Sequence, residues 1–205
     1  MRKLLLPFAL FIVLTSAGLR VAPGTMTPDE RKAAIEYYLK TKAKLLADVR
    51  GLSENQLNWK ADSTRWSIYQ CTEHIALSET LIWRWIQMTE KQPPTPEKRS
   101  EVKLTTEQLL AMTTDRSHKV QAPEMLKPVK QFPSESDAIM AFSSRRDSTI
   151  DYIKMTQDDL KDHFIVHPVF GTMDLYQGLM LLAAHSARHT LQIEEVMATP
   201  GFPKQ

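Results

Sequence analysis

Two histidines, His185 and His189, lie four residues apart in the segment HSARH near the carboxyl end of the chain. Side chains at this spacing leave one face of a helix about a turn apart, so both imidazoles can bind one metal ion. A third histidine, His74, lies on the apolar stripe of a different helical segment. Three ligands with open positions are typical of a catalytic metal centre. The alternative is that these are hydrogen-bonded core histidines.

Four further residues lie close to the three histidines in sequence and on neighbouring helix faces. Gln192 and Ser78 could orient water or substrate, or they could be interior polar groups that bond to their neighbours. Arg188 could bind an anionic substrate, or it could form a structural salt bridge. Cys71 is either a fourth ligand or a small buried thiol, because a free cysteine often packs as a hydrophobic residue.

A general base for hydrolysis is not evident in the sequence. A zincin helix carries glutamate directly after its first histidine ligand, whereas this chain has Ser186 there. Glu73 precedes His74, but successive residues point about 100° apart around a helix, which makes Glu73 a poor base. A zincin-type peptidase is therefore not expected.

A second histidine pair, His163 and His167, has the same spacing without the helical context. Pro168 disfavours helical geometry for the residue before it, and the surrounding segment has no helical stripe. We expect residues 163–171 to form a loop or a short extended stretch without metal contact. We expect the same absence of metal contact for His118, at the end of a polar short helix.

Four long amphipathic segments position these residues. Their apolar residues recur with the helical period, and Thr27, Ser67 and Thr172 are suitable N-caps. Because no alternating strand pattern is present, we predict an all-α four-helix bundle with an additional short helix. The predicted long helices cover residues 28–50, 68–90, 134–155 and 172–197, the short helix covers 106–120, and packed or Pro-rich connections cover 52–66 and 92–100.

Composition excludes several classes of protein. The 205 residues include 26 Lys and Arg against 24 Asp and Glu without long blocks of either sign, so no basic footprint for nucleic acid is visible. The 42% of hydrophobic residues is too high for a disordered tail, and one cysteine cannot form a disulfide framework. We expect a small-molecule substrate and no nucleic-acid partner, and a homodimer is left open.

The first residues have the three-part pattern of a secretory signal peptide. A positively charged start precedes an apolar run over residues 4–14, and small residues follow. This run is shorter than the about 20 residues that a stable bilayer span needs, so we expect a cleaved leader and no stable membrane anchor after cleavage. We expect residues 1–17 to be removed and the mature protein to be periplasmic or extracellular. Translation from Met26 would instead give a cytoplasmic protein. The rest divides into a domain over 27–197 and a tail over 198–205.

Two segments carry a family resemblance. In RWSIYQCTEHIALSE (65–79), a Trp-Ser pair opens a helix and a histidine follows seven residues after the serine. The second segment is LLAAHSARHTLQIEEV (181–196). Both resemble the DinB-like superfamily of metal-binding four-helix bundles, which includes YfiT-type metal-dependent hydrolases, and the resemblance covers about 27–197. It implies three metal ligands: His74, His185 and His189.

The resemblance implies a divalent ion and leaves the reaction open. We expect Zn²⁺, with Ni²⁺, Mn²⁺ or Fe²⁺ as alternatives, because nitrogen ligands discriminate weakly among these ions. Such an ion would activate water for hydrolysis. Relatives also include thiol-dependent transferases such as bacillithiol transferase and mycothiol-dependent maleylpyruvate isomerase, but those thiols are cytosolic, whereas this chain has an export signal. Further alternatives are a non-catalytic metal-binding or stress-response bundle and a metal-free bundle that holds an apolar ligand.

Overall fold

The computed structural model describes residues 24–204, so the predicted signal peptide lies outside the described residues. Within this range the chain is mainly helical, which confirms the predicted all-α bundle, and no helix combines the length and apolar character needed to cross a membrane. The elements are α1 (Pro28–Val49), α2 (Glu54–Asn58), α3 (Ile68–Glu90), α4 (Thr106–Thr114), α5 (Glu135–Met155), β1 (Phe164–His167), β2 (Gly171–Asp174) and α6 (Leu175–Met197), with 3-10 turns at Pro96–Glu101 and Glu124–Leu126.

The four long helices form the bundle, and its centre is polar. Helix α3 packs against α5 and α6, α1 packs against the same two helices, and α4 packs on the outside of α6. Each long helix contributes to two apolar clusters, one near Tyr38 and Leu179 and the other near Leu45 and Phe142. Between these clusters every long helix carries buried polar residues, among them Thr41, Glu79, Arg146 and Ser186. The candidate histidines on α6 lie at this level.

Local capping explains most helix boundaries. The predicted N-caps Thr27 and Ser67 are confirmed, and each forms a reciprocal capping box with the third residue of its helix. The predicted N-cap Thr172 is wrong, because Thr172 belongs to β2 and α6 begins after Asp174. Asp174 accepts a hydrogen bond from the Gln177 amide and forms the capping box instead.

Three short elements differ from the sequence prediction. Helix α2 lies in the predicted connection, where Ser53 and Gln56 form a capping box that the sequence analysis overlooked. Helix α4 ends at Thr114 instead of residue 120, because Asp115 turns back to accept a hydrogen bond from the Ser117 amide. The stretch 163–171, expected to be a loop or a short extended stretch, contains β1 and a turn, and β1 pairs with β2 in a hairpin too short to reveal an alternating pattern.

Candidate metal centre

Three histidines from two helices converge between α3 and α6. One potential ligand nitrogen from each of His74, His185 and His189 lies within 4.8 Å of the others. The Nε2 atoms of His74 and His185 are 3.3 Å apart. Two nitrogens that bind one Zn²⁺ tetrahedrally at about 2.1 Å would be separated by about 3.4 Å. The donor set therefore fits a single ion, and the structure brings together the three residues selected from the sequence.

Hydrogen bonds to the far side of two rings fix their orientation. The Nδ1 atom of His74 donates to the backbone carbonyl of Leu126 at 2.7 Å. The Nδ1 atom of His189 donates to Oε1 of Gln192 at 2.9 Å. A proton held at Nδ1 leaves the Nε2 lone pair free, which is how metal-binding histidines are usually oriented. Both rings therefore offer Nε2 as a potential ligand atom.

Burial keeps the three imidazoles neutral. Desolvation, together with the neighbouring His74, lowers the pKa of His185 from 6.5 to about 3. Desolvation and the two other rings hold the pKa of His189 well below its usual range. The pKa of His74 is also lowered by burial, although its bond to Leu126 opposes the shift. Protons therefore compete weakly with a metal ion for these nitrogens at neutral pH.

Trp66 forms an aromatic wall beside the cluster. Its ring centroid lies 4.9 Å from that of His74 and 6.0 Å from that of His189, nearly parallel to the latter ring. The residue directly precedes the N-cap of α3, so the start of that helix sets its position. The Trp-Ser pair was part of the sequence pattern, but its packing role was not predicted.

Comparison with known proteins places the chain in a family. The sequence profile of the DinB superfamily matches residues 37–193, a range that includes all three histidines. The chain belongs to the DinB superfamily.

Two proteins of Bacillus subtilis are similar to this DinB-superfamily protein. The uncharacterized protein YuaE of Bacillus subtilis strain 168 is 25% identical over 149 residues, which cover 73% of this chain and 88% of YuaE. YfiT from Bacillus subtilis is described as a probable metal-dependent hydrolase with an unusual four-helix bundle topology. Its structure matches with a TM-score of 0.60 at 15% identity and covers 87% of this chain and 92% of YfiT, which shows a shared fold.

Gln192 and Arg188, two residues predicted near the site, are engaged by other parts of the DinB domain. Gln192 orients the His189 ring and also accepts a hydrogen bond from Arg116 at 3.3 Å. Arg188 ties α6 to the end of α4, and both of its terminal nitrogens donate to backbone carbonyls. This geometry supports a structural role for Arg188. The bonds that carry this role are to backbone carbonyls, whereas the sequence suggested a salt bridge. The carbonyls belong to Thr113, Asp115 and His118.

Ser78 and Cys71 differ in what they offer the site. Ser78 is buried on α3 one turn after His74, and its Oγ has no hydrogen-bond partner among the described residues. Within the described part of the chain, Ser78 therefore makes none of the hydrogen bonds to neighbours that the interior alternative expects. Cys71 is fully buried, burial raises the pKa of its thiol to about 12, and its Sγ is not among the clustered ligand atoms. These observations favour the buried-thiol alternative for Cys71.

A buried ionic network that was not predicted from the sequence lies next to the DinB histidine cluster. Arg146 and Glu79 form an ion pair in which both side chains are almost fully buried, at 0% and 1% exposure. Arg146 also donates to Thr41 Oγ1 at 2.6 Å and to Ser186 Oγ at 2.7 Å. This explains Ser186 at the position of a zincin glutamate, since the residue bonds to a structural arginine.

The remaining histidine pair lies outside the cluster. His163 bonds to the backbone carbonyls of Asp159 and Gln92, each at 2.8 Å. His167 accepts a hydrogen bond from the Val169 amide. Neither ring belongs to the three-histidine group.

The metal-free DinB domain should lose stability as the pH falls below about 6.5. The unfolded chain takes up protons at its histidines near pH 6.5, whereas folded His185 resists protonation down to about pH 3. Protons therefore bind preferentially to the unfolded state in this window, and the free energy of unfolding falls with acid. Urea denaturation of chelator-treated protein between about pH 4 and 8 measures this slope. In a His185→Gln variant the free energy of unfolding should depend less steeply on pH. An unchanged dependence would contradict the lowered pKa of folded His185.

Proposed function

We propose that this DinB-superfamily protein is a metal-dependent hydrolase in which His74, His185 and His189 hold one divalent ion, with Zn²⁺ as the expected metal. The supporting observation is the convergence of three neutral imidazoles, two of them buried and that of His185 half-buried, whose ligand atoms lie within 4.8 Å of one another. Three imidazoles leave at least one position for water or substrate. The fold shared with YfiT, described as a probable metal-dependent hydrolase, agrees with this proposal.

The chain's own residues support hydrolysis in three ways. Leu126 and Gln192 hold two rings in the tautomer that presents Nε2. Trp66 covers the cluster on one side, which limits the access of bulk water to the His74 and His189 rings. The free hydroxyl of Ser78 can orient a water or a substrate oxygen. A divalent ion bound there would supply a Lewis acid and lower the pKa of a bound water towards ~7.

The expected substrates are compounds whose leaving group departs without help from a protein acid. Among the described residues, no carboxylate joins the three-histidine cluster, and Ser186 bonds to Arg146. Esters, lactones and phosphoesters with stable leaving groups meet this requirement better than peptides, whose amine must be protonated. We therefore propose a small-molecule ester or phosphoester as the substrate.

We also propose that the protein acts outside the cytoplasm. The leader pattern of residues 1–17 supports export, and export disfavours transfer of cytosolic thiols. Fractionation of expressing cells and mass spectrometry of the purified amino terminus test this point. An uncleaved or Met26-initiated cytoplasmic product would contradict it.

Metal analysis and a substrate screen test the activity. The purified mature protein should contain about one divalent ion per chain and hydrolyse at least one member of a panel of esters, lactones, amides and phosphoesters. A chelator should abolish turnover while circular dichroism retains the helical signal, and added Zn²⁺ should restore it. Turnover that requires a low-molecular-weight thiol would favour a transferase. A chelator that unfolds the bundle, without any turnover beforehand, would favour a structural ion.

A further inference from the structure

Residues 124–132, which lie between α4 and α5, form hydrogen bonds with α3 next to the histidine cluster. We call these residues the strap. One of its carbonyls holds a candidate ligand ring, so the strap takes part in the geometry of the site. Two more hydrogen bonds to residues in the first two turns of α3 hold the rest of the strap. The three bonds run from His74 Nδ1 to Leu126 O at 2.7 Å, from Tyr69 Oη to Phe132 O at 2.6 Å, and from the Gln131 amide to Glu73 Oε1.

Glu73 is the unusual member of this set. Its side chain is completely buried at 0% exposure, and its Oε2 has no hydrogen-bond partner among the described residues. A buried carboxylate with an unpartnered oxygen is costly, so the bond from its other oxygen to the strap is its main visible role. Glu73 lies one turn after Tyr69 and directly before His74, so the anchor and the ligand ring share one turn of α3.

The backbone conformation of the strap brings the Gln131 amide to the Glu73 carboxylate. Lys130 adopts a positive φ of 62°, a left-handed conformation that is uncommon for residues other than glycine. This residue immediately precedes Gln131, whose amide reaches the buried carboxylate. Pro123 and Pro128 restrict the chain on the way to this turn. The strap is therefore conformationally restricted and attached through Gln131.

We propose that Glu73 is a positioning residue that holds the strap against α3, so that the Leu126 carbonyl keeps His74 in the Nδ1-protonated tautomer with Nε2 directed at the metal. The role in metal binding rests on the proposed function, because it requires that the three histidines bind an ion. The effect on the His74 ring does not, since it is present in the metal-free protein. Glu73 is thus a support for a ligand and not the base considered from the sequence.

Two substitutions of Glu73 distinguish the loss of its hydrogen bond to the strap from a general loss of packing. Glu73→Leu removes the acceptor for the Gln131 amide, whereas Glu73→Gln keeps an amide oxygen in its place. Ile153→Ala is the matched control, since Ile153 is fully buried in the other apolar cluster and forms none of the three hydrogen bonds to the strap. We would measure Zn²⁺ affinity by chelator competition, the His74 tautomer by nitrogen-15 NMR of the metal-free full chain, and hydrogen exchange of residues 124–132.

Glu73→Leu should weaken Zn²⁺ binding by about 10- to 100-fold, the range found when partners of metal-binding histidines are lost. It should also give a mixed His74 tautomer and faster exchange in the strap. Glu73→Gln should restore all three properties, and Ile153→Ala should change none of them. A single Nδ1-protonated tautomer and wild-type strap protection in Glu73→Leu would overturn the proposal, even if the wild-type protein bound no metal. Absence of metal from the wild type would overturn only the proposed function and the affinity part of this proposal.

Discussion

Replacing His185 with alanine should remove most of the bound metal while the bundle stays folded. Structural Zn²⁺ sites with four ligands provide about 10–16 kcal/mol, so losing one nitrogen of three should weaken binding on the order of 10²- to 10³-fold. His185 is partly exposed, so we expect the variant to lose only about 1 kcal/mol of stability in the metal-free state. Metal content after dialysis, chelator competition and urea denaturation measure the two effects separately.

His167→Ala is the matched control for that experiment. His167 belongs to a histidine pair with the same sequence spacing, but its ring lies outside the three-histidine group. The control should keep the metal content and affinity of the wild type. Full metal stoichiometry in His185→Ala, or a clear loss of metal in His167→Ala, would show that the centre lies elsewhere.

Replacing Arg146 with methionine should produce the largest loss of stability in the bundle. The substitution leaves the Glu79 carboxylate buried without its partner and removes a donor from both Thr41 and Ser186. Breaking a buried pair in this way costs about 3–5 kcal/mol, against a total stability of about 5–15 kcal/mol for an ordinary domain. Urea denaturation of the metal-free protein gives the change in the free energy of unfolding.

Two further variants show whether the unpaired charge causes that loss. The double variant Glu79→Leu with Arg146→Met removes both charges and should recover a large part of the stability. Lys154→Met breaks an exposed ion pair with Asp151 on the same helix and should change stability by less than about 1 kcal/mol. If the double variant were no more stable than Arg146→Met, the loss would come from packing and not from the buried carboxylate.

The sequence predicted the long helices well because each signal is local. Helix α3 begins after Ser67 and ends at Glu90 as predicted, since both the capping box and the apolar stripe are encoded within a few residues. Helix α6 ends as predicted at Met197, but its start was misplaced by the hairpin. The strands of that hairpin have four residues each, too few for a periodic pattern to identify them.

The candidate site was predictable where one helix carries two of its members. His185 and His189 share a face of α6 because of the helical repeat, so their proximity follows from spacing alone. His74 required the resemblance as well, because nothing local relates residue 74 to residues separated from it by more than a hundred positions. For Gln192 the structure favours the second alternative, an interior polar group that bonds to its neighbours, because its Oε1 accepts hydrogen bonds from His189 and Arg116.

By itself, the sequence determined that the chain is a helical bundle with three histidines on buried stripes, because helix periodicity and capping depend on neighbouring residues. Only the tertiary structure decided that those rings meet, that Leu126 and Gln192 fix the orientation of two of them, and that Arg146 pairs with Glu79. These contacts join residues from different helices and loops. Their geometry depends on how the helices pack and rotate against one another, which no local pattern encodes.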